Sequence, residues 1–216
     1  MPDIQHLFIP NNEIKLEAEF FPSKNNINKS CVLICHPHPQ FGGDMYNNVV
    51  SSVFKIFMDN NIAVLRFNFR GVGKSTGHHT DGEGDVSDVK ACVDFLIHNL
   101  NMAAIFICGY SYGAAIGCSA INYSQKIIGF IAISFPWDFM GEEFKESTQT
   151  RKPKLFIQGT LDNIASFDRF DFHYDFYKEP KSQFIIKGAD HFYWGYESII
   201  SQEVLKFVKN QFGIIP

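Results

Sequence analysis

Six short apolar runs, separated by stretches of helical periodicity, limit the folds open to this chain. "CVLIC" (31–35), "AVLRFNF" (63–69), "AAIFIC" (103–108), "IIGFIAISF" (127–135), "KLFIQG" (154–159) and "QFIIKG" (183–188) show little polar alternation. That is the pattern of strands buried on both faces. Helices are expected between them, at 46–60, about 85–100, 112–122, about 166–178 and about 195–212. In the second of these, Val89, Cys92, Val93, Leu96, Ile97 and Leu100 recur at helical spacing, and Asp85 is the expected N-cap. Strands alternating with helices predict a parallel sheet covered on both faces, joined by right-handed crossovers. Ahead of this array, residues 4–9 and 14–21 alternate polar and apolar around "PNNE", as an edge hairpin does. No repeat or linker interrupts the pattern. The 216 residues are expected to form one domain, 1–216, large enough for a core without metals or disulfides.

Charge and cysteine usage narrow the function classes. The net charge is −4, with no basic run of five or more residues, so nucleic-acid and anionic-membrane partners lack electrostatic support. No run reaches about 18 apolar residues, so no transmembrane helix is expected. Five cysteines without a CxxC pair read as reduced thiols. With no basic-then-apolar leader in the first residues, a cytoplasmic protein is expected.

The stretch "LRFNFRGVGKSTG" (65–77) superficially matches a phosphate-binding loop. The pattern G-x-x-x-x-G-K-[ST], aligned on Gly73-Lys74-Ser75, puts Asn68 where the first glycine belongs. The "STGHHTDGEG" that follows opposes the helix start needed to face a phosphate. Nucleotide binding is therefore not expected.

"ICGYSYGAAIG" (107–117) is more informative. Gly109-Tyr110-Ser111-Tyr112-Gly113 fits G-x-S-x-G, in which small residues two before and two after the serine permit a sharp strand-to-helix turn that exposes the hydroxyl. A buried strand precedes it, and Ala114, Ala115, Gly117 and Ala120 begin a helix able to approach the sheet closely.

With this motif in this context, the chain resembles the α/β-hydrolase superfamily over nearly its full length. The "HPHP-x-x-GG" form at 36–43 is similar to small, cap-less members described as dienelactone-hydrolase-like or serine-peptidase-like. The resemblance implies an α/β-hydrolase fold, with Ser111 as nucleophile, Asp162 in "GTLDNIA" as acid and His191 in "KGADHFYWG" as base. It also implies an oxyanion hole from the amides of Tyr112 and His38. Pro37 and Pro39 flank His38 and have no N–H; Pro37 departs from the usual glycine. Asp138 is the rival acid, and Asp190 lies too close to His191 in sequence for the required geometry.

No cofactor and no metal are implied. His78 and His79 beside Asp81 form one candidate metal set, but nothing else supplies ligands at a recognisable spacing; His36 and His38 form another, but their place at the end of a central strand favours a structural and oxyanion role. His6 and His98 read as surface residues and His173 as a surface or packing residue. Only residues 136–153 separate the fourth and fifth runs, too few for a cap domain. Phe41, Tyr46, Tyr110, Tyr112, Trp137, Phe192, Tyr193 and Trp194 adjoin the loops expected to line the site, and favour small acyl or aryl esters. A peptidase or thioesterase using the same triad, and a hydrolase-fold binding protein, are the alternatives. The apolar tail "FGIIP" leaves a homodimer open.

Overall fold

A computed structural model describes residues 3–24, 26 and 28–213. All its strands belong to one eight-stranded sheet of order β1-β2-β4-β3-β5-β6-β7-β8. The strands are β1 Gln5–Asn11, β2 Ile14–Phe21, β3 Ser30–Cys35, β4 Val64–Phe67, β5 Ala104–Tyr110, β6 Ile127–Ile133, β7 Lys154–Gly159 and β8 Lys181–Ile186. The hairpin β1–β2 is antiparallel and joins β4 antiparallel, and the remaining pairs are parallel. This is the α/β-hydrolase fold.

The helices are α1 Asn48–Asp59, α2 Glu83–His98, α3 Tyr112–Ser119, α4 Trp137–Met140, α5 Glu142–Ser147, α6 Phe170–Asp175 and α7 Glu197–Phe212. They cover the sheet from both sides. On one face Val53, Phe54 and Phe57 of α1 share a core with Ile200, Val204 and Val208 of α7. On the other, Val89, Cys92 and Val93 of α2 meet Ala114, Ala115 and Cys118 of α3. Each such apolar side chain contributes roughly 1.5–3 kcal/mol on full burial.

Several boundaries differ from expectation for local reasons. β4 ends at Phe67: the Asn68 N–H still reaches the Glu17 carbonyl of β2 at 2.8 Å, but the Phe69 N–H turns away to His36 Nε2 at 3.1 Å. β6 ends at Ile133 because Ser134 takes a left-handed φ of 48°. The helix expected over 166–178 is a 3₁₀ turn, Phe167–Arg169, followed by the short α6. Asp85 does not cap α2. The helix starts earlier, with Gly82 at the cap, and the Asp85 carboxylate reaches back to accept from Gly82 N–H at 3.3 Å. Segment 136–153 forms the two short helices α4 and α5. Among the described residues no helix is long and apolar enough to cross a membrane. The end of the "FGIIP" tail lies outside the described residues.

Candidate active site

The turn between β5 and α3 carries Ser111 in a conformation that L-residues rarely adopt, φ 55° and ψ −121°. The flanking glycines permit it. A Cβ on Gly109 would sit 2.1 Å from the Gly113 carbonyl oxygen, and one on Gly113 would sit 2.3 Å from that of Cys35. The strain of such a backbone, on the order of 1–3 kcal/mol, is held by the bond from Ser111 N–H to the Ile133 carbonyl at 2.8 Å and the packed α3 behind it.

Two other loops bring their side chains to this turn. Asp162 follows β7 and His191 follows β8. Ser111 Oγ lies 2.9 Å from His191 Nε2, and His191 Nδ1 lies 3.0 and 2.9 Å from the two carboxylate oxygens of Asp162. The carboxylate is itself fixed: Oδ1 accepts from Ile164 N–H at 3.0 Å and Ala165 N–H at 2.8 Å. All three side chains are buried, with Ser111 8 % exposed. A serine so placed can pass its proton to the imidazole, and the carboxylate holds the proton on Nδ1. The amides of Tyr112 and His38 donate to no backbone carbonyl among the described residues.

Sequence reasoning missed one member of this group. Ser134, at the abrupt end of β6, donates to Asp162 Oδ2 at 2.6 Å and shares a 2.6 Å contact with the Tyr193 hydroxyl. Ser134 and Tyr193 are both fully buried. The signal available was faint: one polar residue closing the apolar run "IIGFIAISF", on the strand that pairs with β5.

The rival candidates are engaged elsewhere. Asp138, on α4, pairs with His173 at 3.2 Å and Arg169 at 3.4 Å. His173 is a packing residue, stacked on Trp137 with centroids 5.0 Å apart. Asp190 accepts from the amides of Phe192 and Tyr193 at 3.0 and 3.2 Å. His36 uses both ring nitrogens, one toward the Pro37 carbonyl at 2.6 Å and one accepting from Phe69 N–H; burial lowers its pKa to about 4. It is a strut under the loop. The glycine loop after β4 is no phosphate cradle, because the Lys74 amide is taken by the Glu17 carboxylate at 2.8 Å. His38 stands near His79 and Asp81, whereas His78 points to solvent. His6 and His98 are exposed.

The aromatic residues divide. Tyr110, Tyr112, Trp137 and Tyr193 are buried in the core, whereas Phe41, Tyr46, Phe192 and Trp194 are half exposed or more. The five cysteines are free and buried, and burial raises all five thiols above their ordinary pKa, Cys108 to about 12.

Known proteins resemble this arrangement. A family model described as "Serine aminopeptidase, S33" matches residues 27–137. An uncharacterized protein of Rickettsia prowazekii is 36% identical over 173 residues, which span 77% of this chain and 73% of that one. An α/β serine hydrolase homologue from Coxiella burnetii is 31% identical in sequence and superimposes with a TM-score of 0.84 over 94% of this chain and 96% of its own. A serine hydrolase without a lid, from Xanthomonas campestris, shares the fold at 22% identity, with a TM-score of 0.86 over 100% of this chain and 98% of its own. On these matches the chain belongs to the α/β serine hydrolases, in the family described as serine aminopeptidase S33.

Proposed function

We propose that this chain works as a single-domain serine hydrolase of the carboxylesterase type, cleaving small acyl or aryl esters through Ser111, His191 and Asp162. The observation that carries this reading is the unbroken hydrogen-bond line from Ser111 Oγ through the His191 ring to Asp162. In the proposed mechanism Ser111 attacks the ester carbonyl while His191 Nε2 takes its proton. His191 then gives that proton to the departing alcohol, and water releases the acyl-enzyme by the same exchange in reverse. Asp162 holds the Nδ1 proton and stabilises the imidazolium. The amides of Tyr112 and His38 receive the oxyanion, and each such donor is worth about 10²–10³ in kcat. These steps use only the chain's own groups and water.

The substrate class rests on the rim. Phe41, Phe192 and Trp194 are exposed on the loops after β3 and β8, and only the short α4 and α5 occupy the place of a cap. An apolar, open rim suits a small acyl or aryl group.

Labelling with a fluorophosphonate probe tests the mechanism. Wild type is expected to label, and Ser111→Ala and His191→Ala are expected not to. A folded wild type that stays unlabelled overturns the reading. In a p-nitrophenyl ester series, acetate and butyrate are expected to turn over faster than long-chain acyl esters.

A further inference from the structure

Beside the nucleophile, two loops place three side chains around one point. His38 comes from the loop after β3, and His79 and Asp81 from the loop between β4 and α2. One ring nitrogen of each histidine and one carboxylate oxygen of Asp81 lie within 4.8 Å of one another. Asp81 Oδ1 is 3.4 Å from His38 Nε2 and in close contact with His79 Nε2. Ligands about 2.0–2.1 Å from a tetrahedral ion stand roughly 3.4 Å from each other, so the His38–Asp81 spacing is already that of two ligands.

The hydrogen bonding behind His79 points the same way. Its Nδ1 lies 3.2 Å from Asp85 Oδ1. Asp85 is fully buried, and its other oxygen accepts from Thr80 Oγ1 at 2.8 Å. With Nδ1 engaged by this buried carboxylate, Nε2 is the ring nitrogen turned toward Asp81 and His38. A carboxylate behind a ligating histidine is also the usual outer shell that fixes tautomer and ring plane in metal sites. The Tyr112 ring adds to the fixing, packed 4.6 Å from the His38 ring and 5.4 Å from that of His79.

We propose that His38, His79 and Asp81 bind a divalent first-row transition ion, with Zn²⁺ the best match to two imidazoles and a carboxylate, and that the ion ties the loop after β3 to the loop before α2. Binding at His38 Nε2 shifts that ring's proton to Nδ1 and gives up the 3.2 Å contact from Gln40 N–H. A fourth position remains for water. The site is assembled from groups outside the Ser111–His191–Asp162 line. Its effect on turnover, through the loop that carries the His38 amide, rests on the hydrolase reading; its existence does not.

The test uses the full chain dialysed against chelator and then titrated with ZnCl₂ alone, with bound metal counted by elemental analysis after equilibrium dialysis. Co²⁺ in place of Zn²⁺ gives a visible absorption band that reports imidazole ligation. One equivalent of zinc is expected, at least about 10-fold weaker in Asp81→Asn and His79→Gln, since even outer-shell losses cost 10–100-fold, and retained in His191→Ala. Circular dichroism checks that His79→Gln is folded; Asp81 is exposed, so Asp81→Asn is the safer variant. Equal binding by wild type and Asp81→Asn, or loss of the ion in His191→Ala alone, overturns the site. Fluorophosphonate labelling of the metal-free protein keeps the two readings apart: labelling without zinc binding rejects only the metal site, and zinc binding without labelling rejects only the hydrolase.

Discussion

Replacing Ser134 with alanine removes one hydrogen-bond donor from the Asp162 carboxylate and the partner of the buried Tyr193 hydroxyl. The lost bond is short, 2.6 Å, and its acceptor is 2% exposed, so water cannot take over. A hydrogen bond to a charged group contributes about 1.5–3 kcal/mol. If all of it acts on the transition state, kcat/KM falls by about 10- to 150-fold, at 1.36 kcal/mol per tenfold. The lower end is expected, because the Ile164 and Ala165 amides still hold the other oxygen. Tyr193→Phe removes only the outer hydroxyl, whose neutral bond to Ser134 is worth about 0.5–1.5 kcal/mol, and its effect should be the smaller of the two. The assay is p-nitrophenyl acetate hydrolysis beside the rate of fluorophosphonate labelling, with thermal unfolding run in parallel. A Ser134→Ala protein that loses stability but keeps wild-type kcat/KM refutes the reasoning. Ser134 would then be a bond of the fold and not a support for the acid.

Two further outcomes follow from the same structure. Gly113→Ala places a Cβ 2.3 Å from the Cys35 carbonyl oxygen and 2.5 Å from that of His36; since both are backbone, destabilisation should reach or exceed the upper end of the usual 1–3 kcal/mol for overpacking, read as a drop in urea midpoint. Stability should also fall with acid. Burial holds the folded His36 pKa at about 4 against 6.5, so the unfolded chain binds more protons between those values, and lowering the pH from 7.5 to 5 removes about 2 kcal/mol. His38 shifts in the same direction, and urea unfolding at pH 7.5 and pH 5 would show a flat response if this were wrong.

The sequence made the sheet legible because its central strands are buried on both sides and so read as unbroken apolar runs. Ser111 was legible because its turn tolerates only small flanking residues, which leaves a spaced pair of glycines. Asp162 and His191 needed the family resemblance, since a single acid or histidine in a loop has no period to announce it. Ser134 had neither a spacing nor a motif. The meeting of His38 with His79 was hidden for a different reason: their loops are distant in sequence and become neighbours only because β3 and β4 pair in the sheet. The aromatic residues around the site could not be sorted into core and rim, because loop residues follow no alternation that separates inside from outside. Asp85 was misplaced by one turn because an acid at the cap and an acid at the third helical position look alike when a glycine precedes both.

The spread of the site along the chain sets an order of events during synthesis. Ser111 and His191 are separated by 80 residues, and the histidine sits beyond the last strand, on the last loop before α7. A nascent chain that has formed β5 and its turn already displays the serine, yet it has nothing to accept the proton until β8 docks at the far edge of the sheet. On the proposed hydrolase mechanism, Ser111 therefore stays inert until the final part of the sheet is in place. On that mechanism, covalent labelling of Ser111 would also be a clock for completion of the molecule.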